Sequence, residues 1–316
     1  MPINRRQFGL AATGLCSGLG LLTGCETQPP EDGRLEAVWG KQGILAGMLQ
    51  KPRAIAISDQ DELYIVDTTA RIQVFDRHGQ WLRQWQTPAW KHGKPSGLAF
   101  DLEGNLMVAD THYSQVLFYT PEGELRQDKN IGGVYGYGPG EFHWVTDCVQ
   151  DSQGCYYAGE MGEHDRIQKF SPEGDFIMQW GSLGSDPGQF VRPQSLAIDD
   201  SDHLWVADAC NHRIQVFDAT GDKPELVRLW GEQGRELGQF HFPYDLVLDG
   251  QGHVTIVEFQ NNRVQKLTLE GEPVSCWGRA GRDQGALMHP WALARDSQGK
   301  LHVLDSENHR VQRIWL

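Results

Sequence analysis

The stretch LWVADACNHRIQVFD, residues 204–218, holds two short apolar runs joined by a polar turn. The first run ends in an acid, Asp208, and the second opens on Arg213. Runs of this length, rich in β-branched and aromatic residues, read as strands. Working outward, the same phrase returns along the chain. Its closing acids are Asp67, Asp110, Glu160, Asp208, Glu258 and Asp305, spaced 43, 50, 48, 50 and 47 residues apart. After each acid comes a second run, among them RIQVFD (71–76), QVLFYT (115–120) and RVQRIW (310–315). Before each lies a third run ending in a turn, such as DLVLDGQGH (245–253), and a fourth, such as LVRLW (226–230), mixes Trp with Arg.

Each unit thus holds four strands, A to D in chain order. Six such units predict an all-β fold, a six-bladed β-propeller of four-stranded blades. The sixth unit reaches Leu316 directly after its C strand, while LEAVW (35–39) stands alone near the N-terminus with the pattern of a D strand. The expected arrangement is a last blade closed by strand 35–39. Between D and the next A runs a spacer, W-G-x-x-G-x-x-x-G-x-[FL], at 39–49, 180–190, 230–240 and 277–287. Glycines at fixed offsets predict left-handed backbone where the chain turns back to the axis.

Residues 1–25 are set apart. NRRQFGL (4–10) places Arg5 and Arg6 before an aromatic residue and a Gly/Ala/Leu run, and the run ends in LTGC (22–25). The first motif resembles a twin-arginine export signal and the second a lipobox, which makes Cys25 the expected lipidated residue. The reading is 1–25 export signal, 26–34 tether and 35–316 propeller. It implies a periplasmic or cell-envelope lipoprotein, exported across the inner membrane and held to a membrane by its lipid.

The chain carries 28 Lys+Arg against 42 Asp+Glu, a formal charge of −14. Such a surface repels phosphate backbones, so no nucleic-acid partner is expected. Beyond residue 25 the cysteines are Cys148, Cys155, Cys210 and Cys276. Cys148 and Cys155 flank the turn DSQG (151–154), where a diagonal bridge is an alternative to free thiols; the other two read as buried thiols.

DACNHRIQVFD (208–218), DSENHRVQRI (305–314) and the looser EFQNNRVQKL (258–267) resemble NHL repeats, and the likeness runs through 35–316. The first two units are looser still, DTTARIQVF lacking the Asn-His and DTHYSQVLF the Arg as well. The resemblance implies a six-bladed ring used for binding or scaffolding, with a minority of enzymes. Among these the peptide-amidating lyase holds zinc through histidines at the position after the spacer proline. Here that position reads Arg53, Ser96, Thr146, Gln194, Tyr244 and Trp291, with no histidine.

The acid that ends each B run is expected to cap its own turn and bridge the Arg that follows. The post-proline residues differ in every blade and converge on the channel mouth, so Arg53, Ser96, Thr146, Gln194, Tyr244 and Trp291 are the candidate ligand-binding set. Arg53 and Tyr244 are the catalytic candidates should the protein be an enzyme. His112 and His164, in B–C turns of adjacent blades, are weak metal candidates; His143, His241 and His289 lie in spacers on the same face. Tyr113, Tyr135, Tyr137, Trp144, Tyr244, Phe259 and Trp291 are candidate aromatic anchors.

These features point to a tethered, exported propeller that binds a protein, peptide or glycan partner and is expected to be a monomer. The alternative is a metal-assisted lyase or hydrolase acting at the same mouth. No cofactor is expected for the first reading; a divalent metal belongs to the second.

Overall fold

A computed structural model describes residues 33–91 and 93–316. The export-signal reading, with Arg5, Arg6 and Cys25, lies outside the described residues. The strands form six four-stranded antiparallel sheets, each in the order A-B-C-D. The last blade combines Leu293–Arg295, Leu301–Asp305 and Arg310–Trp315 with Arg34–Trp39 from the other end of the chain. Leu35 pairs with Ile314 and Val38 with Gln312, so the expected closing strand is present and one residue longer.

A and B strands carry apolar side chains on both faces because each blade packs on two neighbours. Between the last and first blades, Ile55, Leu63 and Phe75 meet Ala292, Leu304 and Val311, all buried. The D-strand tryptophans seal the outer end of such seams: Trp39 lies 4.8 Å from Phe75 and Trp180 5.9 Å from Phe217, ring to ring.

The second blade departs from the pattern, since its D strand is only Ile131–Gly132. A short 3-10 turn, Gln127–Lys129, occupies the place of its first residues, and the Asn130 side chain accepts the Phe118 N–H at 3.4 Å. A side chain that competes for a ladder donor shortens the strand.

The repeated R-[IV]-Q motif explains how each spacer is held. Arg213 donates to the carbonyls of Ser185, Asp186 and Gln189 at 2.6–2.9 Å. Gln215 donates to the Gln189 carbonyl and accepts the Gly188 N–H. At Gly181, with φ +97°, an added Cβ would lie 2.6 Å from the Phe190 ring, so glycine is required there. The acids act as expected: Asp67–Arg71, Glu160–Arg166, Asp208–Arg213, Glu258–Arg263 and Asp305–Arg310 pair at 2.5–2.8 Å. Asp110 is the exception. Gln115 reaches it at 3.3 Å, its Oδ1 has no partner, and burial pushes its pKa up to about 6.

Cys148, Cys155 and Cys210 are free thiols, and Cys276 is buried. Cys148 packs with Phe118 and Val145 in the seam to the second blade, whereas Cys155 packs in the seam to the fourth. The diagonal bridge is ruled out because the two side chains lie on opposite faces of one sheet.

Candidate functional site

The A strands line an axial channel whose cavity measures about 230 Å³. Arg53, Ser96, Gln194, Tyr244 and Trp291 line it, as do Asp147, Ser195 and Asp245, each one position further along its strand. Thr146 is absent from the lining: it is buried, and its hydroxyl donates to the Pro193 carbonyl at 2.5 Å. Ser96 is tied by its hydroxyl to Thr111 at 2.7 Å and to the Thr146 carbonyl at 3.0 Å.

At the mouth the rings form a continuous bed. Tyr244 stacks on Phe259 at 4.5 Å and meets Trp291 edge-on at 5.0 Å; Phe259 stacks on His289 at 4.5 Å and 11°. Two arginines lie on this bed. The Arg53 guanidinium sits 5.0 Å from the Trp291 ring and that of Arg192 4.8 Å from Tyr244. Cation–π contact holds them without neutralising their charge. Arg192 Nε also donates to Gln194 Oε1 at 2.7 Å, which fixes the plane of its guanidinium. Burial, and next the charge of Arg192, pull the Arg53 pKa below its usual range, while burial raises that of Tyr244.

Arg192 was not legible as a site residue because it precedes the spacer proline. Lys51, Arg192, Phe242 and His289 all occupy this pre-proline position with φ between +47° and +63°. The left-handed backbone turns residues on both sides of the proline toward the mouth, so the position before it was the missing signal.

Below the mouth, two acids flank Ser195. Asp245 accepts the Ser195 hydroxyl at 2.6 Å and the Leu293 N–H at 2.9 Å. Asp147 accepts the N–H of Leu196 and of Cys148, each at 2.9 Å. Burial pushes Asp147 up to about 8 and Asp245 up to about 6. These acids each interrupt an apolar A run, WVTDCV and PYDLVL, which was their signal in sequence.

The weak metal candidates do not form a cluster. His112 Nδ1 accepts the Lys94 N–H at 3.4 Å, and the His164 ring lies against Tyr137 at 4.4 Å. No group of three or more His, Cys, Asp or Glu among the described residues is placed to hold a metal ion. The zinc implied by the amidating-lyase resemblance does not fit the post-proline set: it offers no imidazole, and two guanidinium groups crowd the mouth with positive charge.

Residues 190–217 and 287–314 match the NHL repeat model. They cover the spacer ends, strands A to C and the Asn-His-Arg turns of the fourth and sixth blades, the elements that shape the mouth. The chain is a six-bladed β-propeller that carries NHL repeats. Over 203 residues it is 30% identical to the peptidylglycine alpha-amidating monooxygenase of Rattus norvegicus, covering 62% of this chain and 20% of that protein. The chain therefore spans about a fifth of the length of the amidating monooxygenases it matches. It is 32% identical to NHL repeat-containing protein 3 of Mus musculus, over 48% of this chain and 46% of that one. Among solved structures, an auxiliary nutrient binding protein from Bacteroides ovatus superposes with a TM-score of 0.68 at 17% identity, covering 90% of this chain and 77% of that one. This last likeness concerns the fold alone.

Proposed function

We propose that this propeller is an exported binding module, tethered through Cys25, whose channel mouth takes the carboxylate-bearing end of a ligand or partner. One observation carries the reading: Arg53 and Arg192 converge on the Tyr244–Trp291 bed, and neither makes an ion pair with any described residue. Two unneutralised guanidiniums in a strongly acidic chain form a local anion site, and the planar fork of Arg suits a carboxylate. The rings beside them supply apolar contact area. Titration calorimetry with a peptide bearing a free C-terminal carboxylate, against its C-terminal amide, tests the reading. The carboxylate form binds and Arg192→Gln weakens it about tenfold or more; equal binding of both forms overturns it. Cell fractionation of Cys25→Ser checks the tether, with release from the membrane as the expected result.

Lyase or hydrolase chemistry at the same mouth is the second reading. The observation favouring it is Tyr244, a phenol that lines the channel with the Arg192 guanidinium 4.8 Å from its ring. On this reading Tyr244→Phe abolishes turnover while ligand binding survives.

A further inference from the structure

On the rim of the second and third blades a second string of rings runs outward from the channel. His112 faces Trp144 at 6.2 Å, Trp144 meets His143 at 4.4 Å, and His143 meets Tyr135 at 5.0 Å and Tyr137 at 5.8 Å. Tyr137 ends the string against His164. The inner end adjoins the mouth: Thr111, next to His112 in the chain, meets the hydroxyl of the channel-lining Ser96 at 2.7 Å. The outer rings are open: Tyr135 is 62% exposed and Trp144 39%. Tyr135 and Tyr137 occupy spacer positions held by Leu183 and Ser185 before the fourth blade and by Gln42 and Ile44 before the first. Nothing in the repeat requires aromatic residues there.

We propose that this ledge is a stacking platform for an acidic oligosaccharide, whose pyranose faces lie on Trp144 and Tyr135 and whose uronate carboxylate lies at Arg53 and Arg192. The proposal rests on the carboxylate reading of the mouth. These rings offer open faces with polar atoms at their edges. Such faces suit the C–H groups of a sugar ring, while the ring edges meet its hydroxyls. Glu163, which accepts the Tyr137 hydroxyl at 3.0 Å, and His164 supply the rim. The guanidiniums at the inner end select a sugar that carries a carboxylate.

The test is calorimetric titration of the full chain with an oligogalacturonate, with a neutral oligosaccharide of equal length, and with a peptide whose aromatic residue precedes a free carboxylate. The uronate is expected to bind, and Trp144→Ala and Tyr135→Ala each to weaken it roughly tenfold. Leu183→Ala, at the matching spacer position before the fourth blade, is expected to leave binding unchanged. No uronate binding, or uronate binding indifferent to Trp144→Ala, overturns the platform. Tight peptide binding lost in Trp144→Ala overturns it too, by making the ledge a peptide site. If the peptide binds through Arg192 while the uronate does not bind, the platform falls and the carboxylate reading stands. If the neutral sugar binds as tightly as the uronate and Arg192→Gln has no effect, the carboxylate reading falls and the stacking role of the rings stands.

Discussion

His309 of the last blade accepts the backbone N–H of Lys51, at the entry to the first blade, through Nδ1 at 3.0 Å. The same link recurs around the ring. His212 accepts the Phe242 N–H at 3.1 Å, Asn262 the His289 N–H at 2.7 Å, and Asp165 the Arg192 N–H. The residue before the repeat arginine therefore staples its blade to the next. That is the physical reason for the histidine of the Asn-His-Arg phrase, and it holds the left-handed pre-proline turn that aims Arg192 at the mouth.

A staple through Nδ1 requires a neutral imidazole. Burial lowers the pKa of both His212 and His309 below the ordinary value of about 6.5. Their contribution to stability is complete above that value and is lost as pH falls through the lowered pKa. Denaturant unfolding is expected to give a midpoint that declines as pH falls below about 6.5. In His309→Ala the N–H of Lys51 loses its partner, at a cost of about 1–3 kcal/mol. His309→Asn, which copies the fifth blade, is expected to keep most of the stability and flatten the pH dependence.

Asp110 has the opposite sign. Its folded pKa of about 6 lies above the unfolded value of about 3.9, so the charged form is disfavoured by folding. The penalty is full above pH 6 and vanishes as pH drops below 3.9. Asp110→Asn is expected to stabilise the fold at pH 7–8 by on the order of 2–3 kcal/mol, and to give little gain near pH 4. Thermal unfolding at the two pH values checks this.

Arg213 clamps three spacer carbonyls and neutralises buried Asp208. Its removal by Arg213→Ala leaves the buried Asp208 carboxylate without a counter-charge, held only by the neutral donors of Val191, Asn211 and Gln215, and takes a donor from each of those carbonyls. The expected loss is about 3–5 kcal/mol. Hydrogen exchange is expected to quicken at Gly188, whose N–H is held by the neighbouring Gln215.

Asp147 and Asp245 place titrating negative charge beneath the arginines. As pH falls through about 8 and then about 6 they become neutral, and the mouth becomes more attractive to anions. Carboxylate affinity is expected to rise over that range, then fall near pH 4 as the ligand itself protonates. Asp245→Asn is expected to strengthen binding at pH 7 and to shrink the rise; titration calorimetry at pH 5.5 and 8 measures both.

The ring, its blade count and its closure were legible in the residues because they depend on local rules. Strand period, turn glycines and a repeat of near-constant length act within one blade, and the stray strand at 35–39 matched the one missing from the last. The acid–Arg pairs were legible for the same reason, being neighbours along the chain. The short D strand of the second blade was less so, because a single Asn130 side chain diverts its ladder. The mouth was legible only in part. Arg53, Gln194, Tyr244 and Trp291 followed from one position in the repeat, yet Thr146 at that position turned into the wall. Arg192, Asp147 and Asp245 came from neighbouring positions that the repeat does not mark. Their meeting depends on how six blades tilt toward one axis, and on staples such as His309–Lys51 that join residues far apart in the chain. Local sequence determined each blade; the angle between blades, set by buried seams and those cross-blade hydrogen bonds, decided which side chains share the channel.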